Sequence, residues 1–178
     1  MNRKTLDNEN ADTIKNFYFN HWNRNLDEYR IELYKSLHSI YKSLQEISLK
    51  VPEKDWIIEL GVNRCESFNV LCEMFGKSRC RGFDLENVTK NPLVRCCDIR
   101  KFDEIIPTAL CVNEIGGWKV TPESRRAAFD WAVKNIVSGG LLIEHSDELA
   151  EWSLSQKVNE HNFRLVLKTK LHAVYSKI

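Results

Sequence analysis

The stretch Trp56-Ile-Ile-Glu-Leu-Gly-Val-Asn-Arg-Cys-Glu-Ser67 constrains the fold of this chain more than any other. Trp56 to Leu60 is a short apolar run, the pattern of a buried strand. Gly61 follows where the chain must turn sharply. From about Cys65 to Gly76, the residues Phe68, Leu71, Cys72 and Phe75 share one helical face. Strand, glycine turn and helix make the opening unit of a doubly wound sheet, whose ligands bind at the carboxyl ends of the strands.

A dinucleotide needs several glycines in such a turn, so that backbone amides can approach its pyrophosphate. Here Gly61 stands alone, with Asn63 and Cys65 where further glycines would be expected. Glu59, at the strand end, would repel a pyrophosphate and attract a cation such as the ammonium of an amino-acid moiety. The pattern favours S-adenosylmethionine over NAD as cofactor, and so disfavours an oxidoreductase.

At 178 residues the chain suits one domain with a sizeable core. It divides into a tail and helical extension, 1–52, and an α/β domain, 53–178. Lys and Arg number 26 against 25 Asp and Glu, a balance that calls for neither nucleic acid nor an anionic membrane. No apolar run approaches the roughly 20 residues that span a bilayer. The polar start, 1–12, does not read as a signal peptide. The expectation is a cytoplasmic protein whose six cysteines, lacking zinc spacing, are reduced thiols. No metal site is expected.

Thr13 to Trp22 reads as a short helix, and Asp27 as the N-cap of a long one. Leu33, Leu37, Ile40, Leu44 and Ile47 form one apolar stripe on it, which Pro52 ends. Packing on its own domain is the preferred reading; a homodimer through 33–47 is the alternative. Further strands are expected at Cys80–Asp84, Leu93–Cys97, Thr108–Val112 and Leu141–Ile143. Asp84 lies about 20 residues beyond Gly61, the distance at which an acid commonly meets ribose hydroxyls, with Glu86 as a substitute. Phe102 to Ile106 reads as a brief helix, and Pro122 to about Val137 as a longer one capped by Thr121. A helix over 148–161 and an antiparallel hairpin, Phe163–Leu167 with His172–Tyr175, close the chain.

This order of elements resembles class I S-adenosylmethionine-dependent methyltransferases over roughly 55–178. The residues that carry the resemblance are Glu59-Leu-Gly61, Gly82-Phe-Asp84, Cys97-Asp98 and Ser138-Gly-Gly-Leu-Leu-Ile143. The Glu-Leu-Gly-Val run with Glu66-Ser67 is also similar to small-molecule and sugar O-methyltransferases of the antibiotic-tailoring kind. The resemblance implies a Rossmann-like, mostly parallel seven-stranded sheet with one antiparallel strand. It implies Glu59 and Gly61 near the methionine part of the cofactor, Asp84 on the ribose, and Asp98 with Ile99 beside the adenine. Asn113, at the end of the fourth strand, completes this cofactor-binding set. The sequence departs from the family pattern in its single glycine and in the near absence of a helix after the second strand.

Methyl transfer is an in-line displacement, so the protein must align a nucleophile and, for a hydroxyl, remove its proton. Glu114 and His145 stand at the ends of the fourth and fifth strands and are the candidate bases. His21, His38, His161 and His172 read as surface or packing residues. Trp118 reads as core packing or as a platform for a planar acceptor. Asn113 is similar to the Asn of amino-methyltransferases, but no Pro-Pro-aromatic follows it, which argues against a nucleic-acid acceptor. The expectation is transfer to a small molecule at oxygen. The alternative is a methyltransferase-like cofactor-binding or interaction module without catalysis.

Overall fold

The computed structural model describes residues 35–43, 51–115, 120–145, 161–169 and 172–178, apart from the side chains of Glu66 and His145. Seven strands form one sheet among them: β1 (Trp56–Leu60), β2 (Cys80–Asp84), β3 (Val94–Cys96), β4 (Thr108–Asn113), β5 (Ile136–His145), β6 (Phe163–Lys168) and β7 (His172–Lys177). The order is β3-β2-β1-β4-β5-β7-β6. The first five strands pair in parallel, and β7 runs antiparallel to both β5 and β6. Strand order reverses between β1 and β4, which places the topological switch point, and its cleft, at their carboxyl ends. This is the expected doubly wound α/β sheet with a C-terminal antiparallel hairpin.

Parallel strands are covered on both faces, so the central ones are mostly apolar; all six residues of β4 are buried. One face carries α1 (residues 35–43) and α2 (Glu66–Phe75). Leu37, Ile40, Phe68 and Leu71 pack there against Ile57, Val112, Ile143 and Val174. The other face carries α3 (Pro122–Asn135), whose Ala128, Phe129, Trp131 and Ala132 cover Ile58, Leu60, Cys111 and Leu142. Thr121 caps α3 as expected, its Oγ1 accepting from the Ser124 amide at 3.2 Å. Burial of this kind stabilises by about 25 cal/mol per Å² of apolar surface removed from water.

Leu37 and Ile40 are fully buried in their own domain, so this part of the 33–47 stripe offers no face to a second copy. Leu33, Leu44 and Ile47 lie outside the described residues, as do the helices expected at 13–22 and 148–161 and the indole of Trp118. The described residues contain no helix long and apolar enough to cross a membrane. All six cysteines are free thiols.

Two expectations need correction. Residues 102–106 form no helix; a single 3-10 turn sits earlier, at Ile99–Lys101. Asp98 nucleates that turn by accepting from the Arg100 amide. The following backbone bonds to α3 instead of to itself: Glu104 carbonyl accepts from Trp131 Nε1, and Ile106 N–H donates to Asn135 Oδ1. The fifth strand also begins earlier than Leu141, at Ile136. Ser138-Gly139-Gly140 is an irregularity inside the strand, where Gly139 takes φ 77° and the register to β4 shifts.

Candidate cofactor and acceptor site

The turn after β1 keeps the path of a glycine loop with one glycine. Gly61, Asn63 and Cys65 have φ of 82°, 50° and 68°. Those are the positions at which the sequence places its single glycine and its two substitutes. The left-handed region costs an ordinary residue roughly 1–2 kcal/mol, so the surrounding bonds must hold it. Gly61 N–H donates to Phe83 carbonyl at 2.8 Å, and Glu114 N–H to Leu60 carbonyl at 2.8 Å. Asn63 N–H donates to Asp84 Oδ2 at 2.7 Å. A side chain at Gly61 would force backbone to move, because an added Cβ would lie 2.9 Å from Glu114 backbone carbon.

Asp84 therefore ties the end of β2 to this turn. Its second oxygen accepts from Leu85 N–H at 2.6 Å. Each carboxylate oxygen has a further lone pair available, and in the loop that follows the apolar side chains of Leu85 and Val88 are exposed. The link from β2 to β3 has no helix, as the sequence implied; Asn87 organises it by donating to the carbonyls of Asn91 and Val94 at 2.8 and 3.0 Å. Asp98 is engaged within its own turn. It pairs with the Arg100 guanidinium at 2.9 and 2.7 Å, and those bonds hold its carboxyl down at about 2. Ile99 is buried in the α3-side core.

Glu59 is completely buried and accepts from Ser67 Oγ on α2. Asn113 is also buried; its amide donates to both oxygens of Glu144, at 3.1 and 3.0 Å, and its Oδ1 accepts from Ile115 N–H at 3.1 Å. Glu144 is a residue the sequence reading passed over. Burial pushes its carboxyl up to about 8, against the Asn113 amide, with the charge of Glu114 adding to the rise. It holds a proton near neutrality at the end of β5, a property common among site residues. Its one sequence signal was its place at a strand end.

Glu114, a candidate base, is not a solvated loop carboxylate: its side chain is 7% exposed. Its Oε1 lies 2.8 Å from Nε2 of His172. The other ring nitrogen, Nδ1, lies 2.9 Å from Ser36 Oγ on α1. His172, read as a surface or packing residue, is fully buried and polar-bonded at both ring nitrogens. His145 pairs with His172 across β5 and β7, Cα to Cα, and its side chain falls outside the described set. The structure so brings Glu59, Gly61, Asp84, Asn113 and Glu114 to one end of the sheet, with Asp98 and Ile99 just beyond β3.

No family model and no curated protein matches this chain. Solved structures do. DesVI from Streptomyces venezuelae superposes with a TM-score of 0.59 at 11% identity, covering 96% of this chain and 99% of that one. CalS11, a TDP-rhamnose 3'-O-methyltransferase of calicheamicin biosynthesis, gives 0.54 at 14% identity over 97% and 90%. A candidate RNA methyltransferase from Pyrococcus horikoshii gives 0.55 at 12% over 82% and 81%. The fold is that of class I methyltransferases. At these identities the likeness establishes architecture, and its neighbours span both sugar and RNA enzymes, so it does not select an acceptor.

Proposed function

We propose that this protein is an S-adenosylmethionine-dependent methyltransferase. One observation carries the reading: the left-handed turn Gly61–Cys65, tied to Asp84, survives where two of its glycines do not. Backbone strain held in place by surrounding bonds is characteristic of ligand sites. Gly61 lets the Glu114–Ile115 backbone pack closely on the turn, Asp84 has lone pairs for ribose hydroxyls, and Leu85 offers an apolar surface to the adenine. Asp98 and Ile99 would flank that base, and Asn113 and the field of Glu59 complete the set. When bound, the cofactor supplies an electrophilic methyl group.

The chain's own part is to orient the acceptor and take its proton. Glu114 and His145 are the candidate bases at the cleft mouth. A small-molecule acceptor reacting at oxygen fits the near-neutral charge, which lacks the cationic field that phosphate backbones require, and fits the sugar O-methyltransferase among the structural neighbours. The test is calorimetric titration with S-adenosylhomocysteine and with NAD. Binding of the first alone, with a concentration-dependent rise in melting temperature, is the expected result. No binding at millimolar ligand by folded protein would refute the reading.

A further inference from the structure

A base is effective only when its carboxylate points to where the acceptor's hydroxyl lies. A glutamate side chain has several rotatable bonds, so its direction must be imposed by partners. Glu114 has such a partner in His172. Its Oε1 lies 2.8 Å from His172 Nε2, and His172 Nδ1 lies 2.9 Å from Ser36 Oγ on α1. His172 is fully buried and Glu114 nearly so, which strengthens these bonds by keeping water from them.

The imidazole is itself held firmly. Its strand pairs with β5 on one side and β6 on the other. Its own N–H donates to Thr169 Oγ1 at 3.0 Å, and Ser36 engages the ring from the side opposite Glu114. Leu37, Ile40 and Tyr41 anchor α1 in the core, so Ser36 stands on a helix with an apolar seat of its own. The polar bridge therefore joins two elements that are already placed, and the side chain it restrains is that of the candidate base.

We propose that His172 is a positioning residue for Glu114, donating from Nε2 to the carboxylate while Ser36 fixes the ring. The proposal rests on the methyl-transfer reading, with Glu114 as base, and deepens it. As the acceptor oxygen bonds to the methyl carbon, the carbon–sulfur bond breaks with its electron pair on sulfur. The hydroxyl proton passes to the Glu114 carboxylate, which releases it to bulk water after the product leaves. No proton passes through His172, which keeps its hydrogens throughout.

The donor assignment follows from the partners. An ionised carboxylate only accepts, so Nε2 bears a hydrogen. A carboxylate offers about four acceptor positions, so this bond leaves capacity for the acceptor's hydrogen. The Ser36 hydroxyl both donates and accepts, and so serves Nδ1 with or without a hydrogen there.

Two substitutions separate the two bonds of the ring. His172→Gln carries an amide N–H to roughly the reach of Nε2, whereas His172→Asn carries one only to that of Nδ1. With an acceptor found by labelled-cofactor screening, His172→Gln should keep kcat within about threefold of the wild type. His172→Asn should lose about tenfold or more, as for a misplaced catalytic group, with both Michaelis constants within about twofold. Added to Glu114→Gln, it should cause no further loss, because positioning acts only through the carboxylate. Equal losses in the two His172 variants, losses carried by the Michaelis constants, or a further loss in the double variant would overturn the proposal.

Long-range proton–nitrogen NMR of histidine-labelled full-length protein tests the bond without an acceptor, and does so even where His172→Asn fails to fold. The ring should carry a hydrogen on Nε2, and the Nε2 resonance should move in Glu114→Gln. A hydrogen on Nδ1 alone, or a ring indifferent to Glu114→Gln, overturns the proposal. If S-adenosylhomocysteine binds and the Nε2 hydrogen is missing, only the positioning role falls. If the hydrogen is in place and the ligand does not bind, the methyl-transfer reading falls and the role with it.

Discussion

Gly61 and Glu114 meet backbone to backbone: a Cβ on Gly61 would come within 2.9 Å of the Glu114 carbonyl carbon and of the Ile115 nitrogen. The turn that would hold the cofactor is thus packed directly on the segment that bears a candidate base. Gly61→Ala must relieve that contact by moving backbone, and it adds the penalty of φ 82°. The expected destabilisation is about 1–2 kcal/mol from the left-handed backbone alone, with the steric contact adding to it. Urea unfolding measures the loss, and S-adenosylhomocysteine affinity should fall in the same variant. An alanine as stable as the wild type would contradict the packing described.

Asn63 tests the turn without the steric contact, because its side chain is exposed. Asparagine tolerates the left-handed region and glycine adopts it freely. Asn63→Gly should therefore be nearly neutral, whereas Asn63→Ala should cost about 1 kcal/mol. Equal stabilities by chemical denaturation would mean that φ at this position is not held at 50°.

These residues show where the sequence was informative and where it was not. The strand Trp56–Leu60, the helix after it and the terminal hairpin were legible because apolar period alone specifies them. The left-handed path was not: asparagine at position 63 only tolerates that region, and no residue preference announces a cysteine in it at position 65. Residues 102–106 were misread as helix because their apolar pattern is real, while their backbone bonds go to Trp131 and Asn135 on a helix distant in sequence. The hydrogen bonds of His172, read as a surface or packing residue, were not legible for a related reason: its partners Ser36 and Glu114 come from elements brought together by the antiparallel return of β7 beside β5.

Glu144 makes stability depend on pH in a predictable direction. Its carboxyl titrates at about 8 in the folded protein against 4.5 for the ordinary group. Between those values the folded state holds a proton that the unfolded chain has released, so stability falls as pH rises through the window. The slope approaches about 1.4 kcal/mol per pH unit where the difference is a full proton. Glu144→Gln removes it, and its melting temperature should vary less than the wild type's between pH 5 and pH 8, a window set by the two values above. Parallel curves for the two proteins would show that Glu144 ionises normally.

Asp84 bears two loads at once, the backbone amides of Asn63 and Leu85 and, in the proposed complex, the ribose. Asp84→Ala should lose about 1.5–3 kcal/mol of S-adenosylhomocysteine affinity, as for hydrogen bonds to a charged group. Asp84→Asn separates the two loads, because its one carbonyl oxygen can still accept from one amide. An Asn variant that keeps the fold and loses affinity places the ribose on this carboxylate. An unchanged dissociation constant in both variants would move the role to Glu86.

The base is decided by comparing Glu114→Gln with His145→Ala. Both residues stand at strand ends and neither belongs to the proposed cofactor-binding set, so S-adenosylhomocysteine affinity should survive either change. Removing a general base commonly lowers turnover by about 10²–10⁴-fold. Glu114 is the stronger candidate, because its carboxylate is buried and bonded to His172. Glu114→Gln should therefore show the larger loss of kcat with the Michaelis constant for cofactor unchanged. A larger loss in His145→Ala would transfer the role to the end of β5, and equal activity in both variants would leave alignment of the acceptor as the whole of the catalysis.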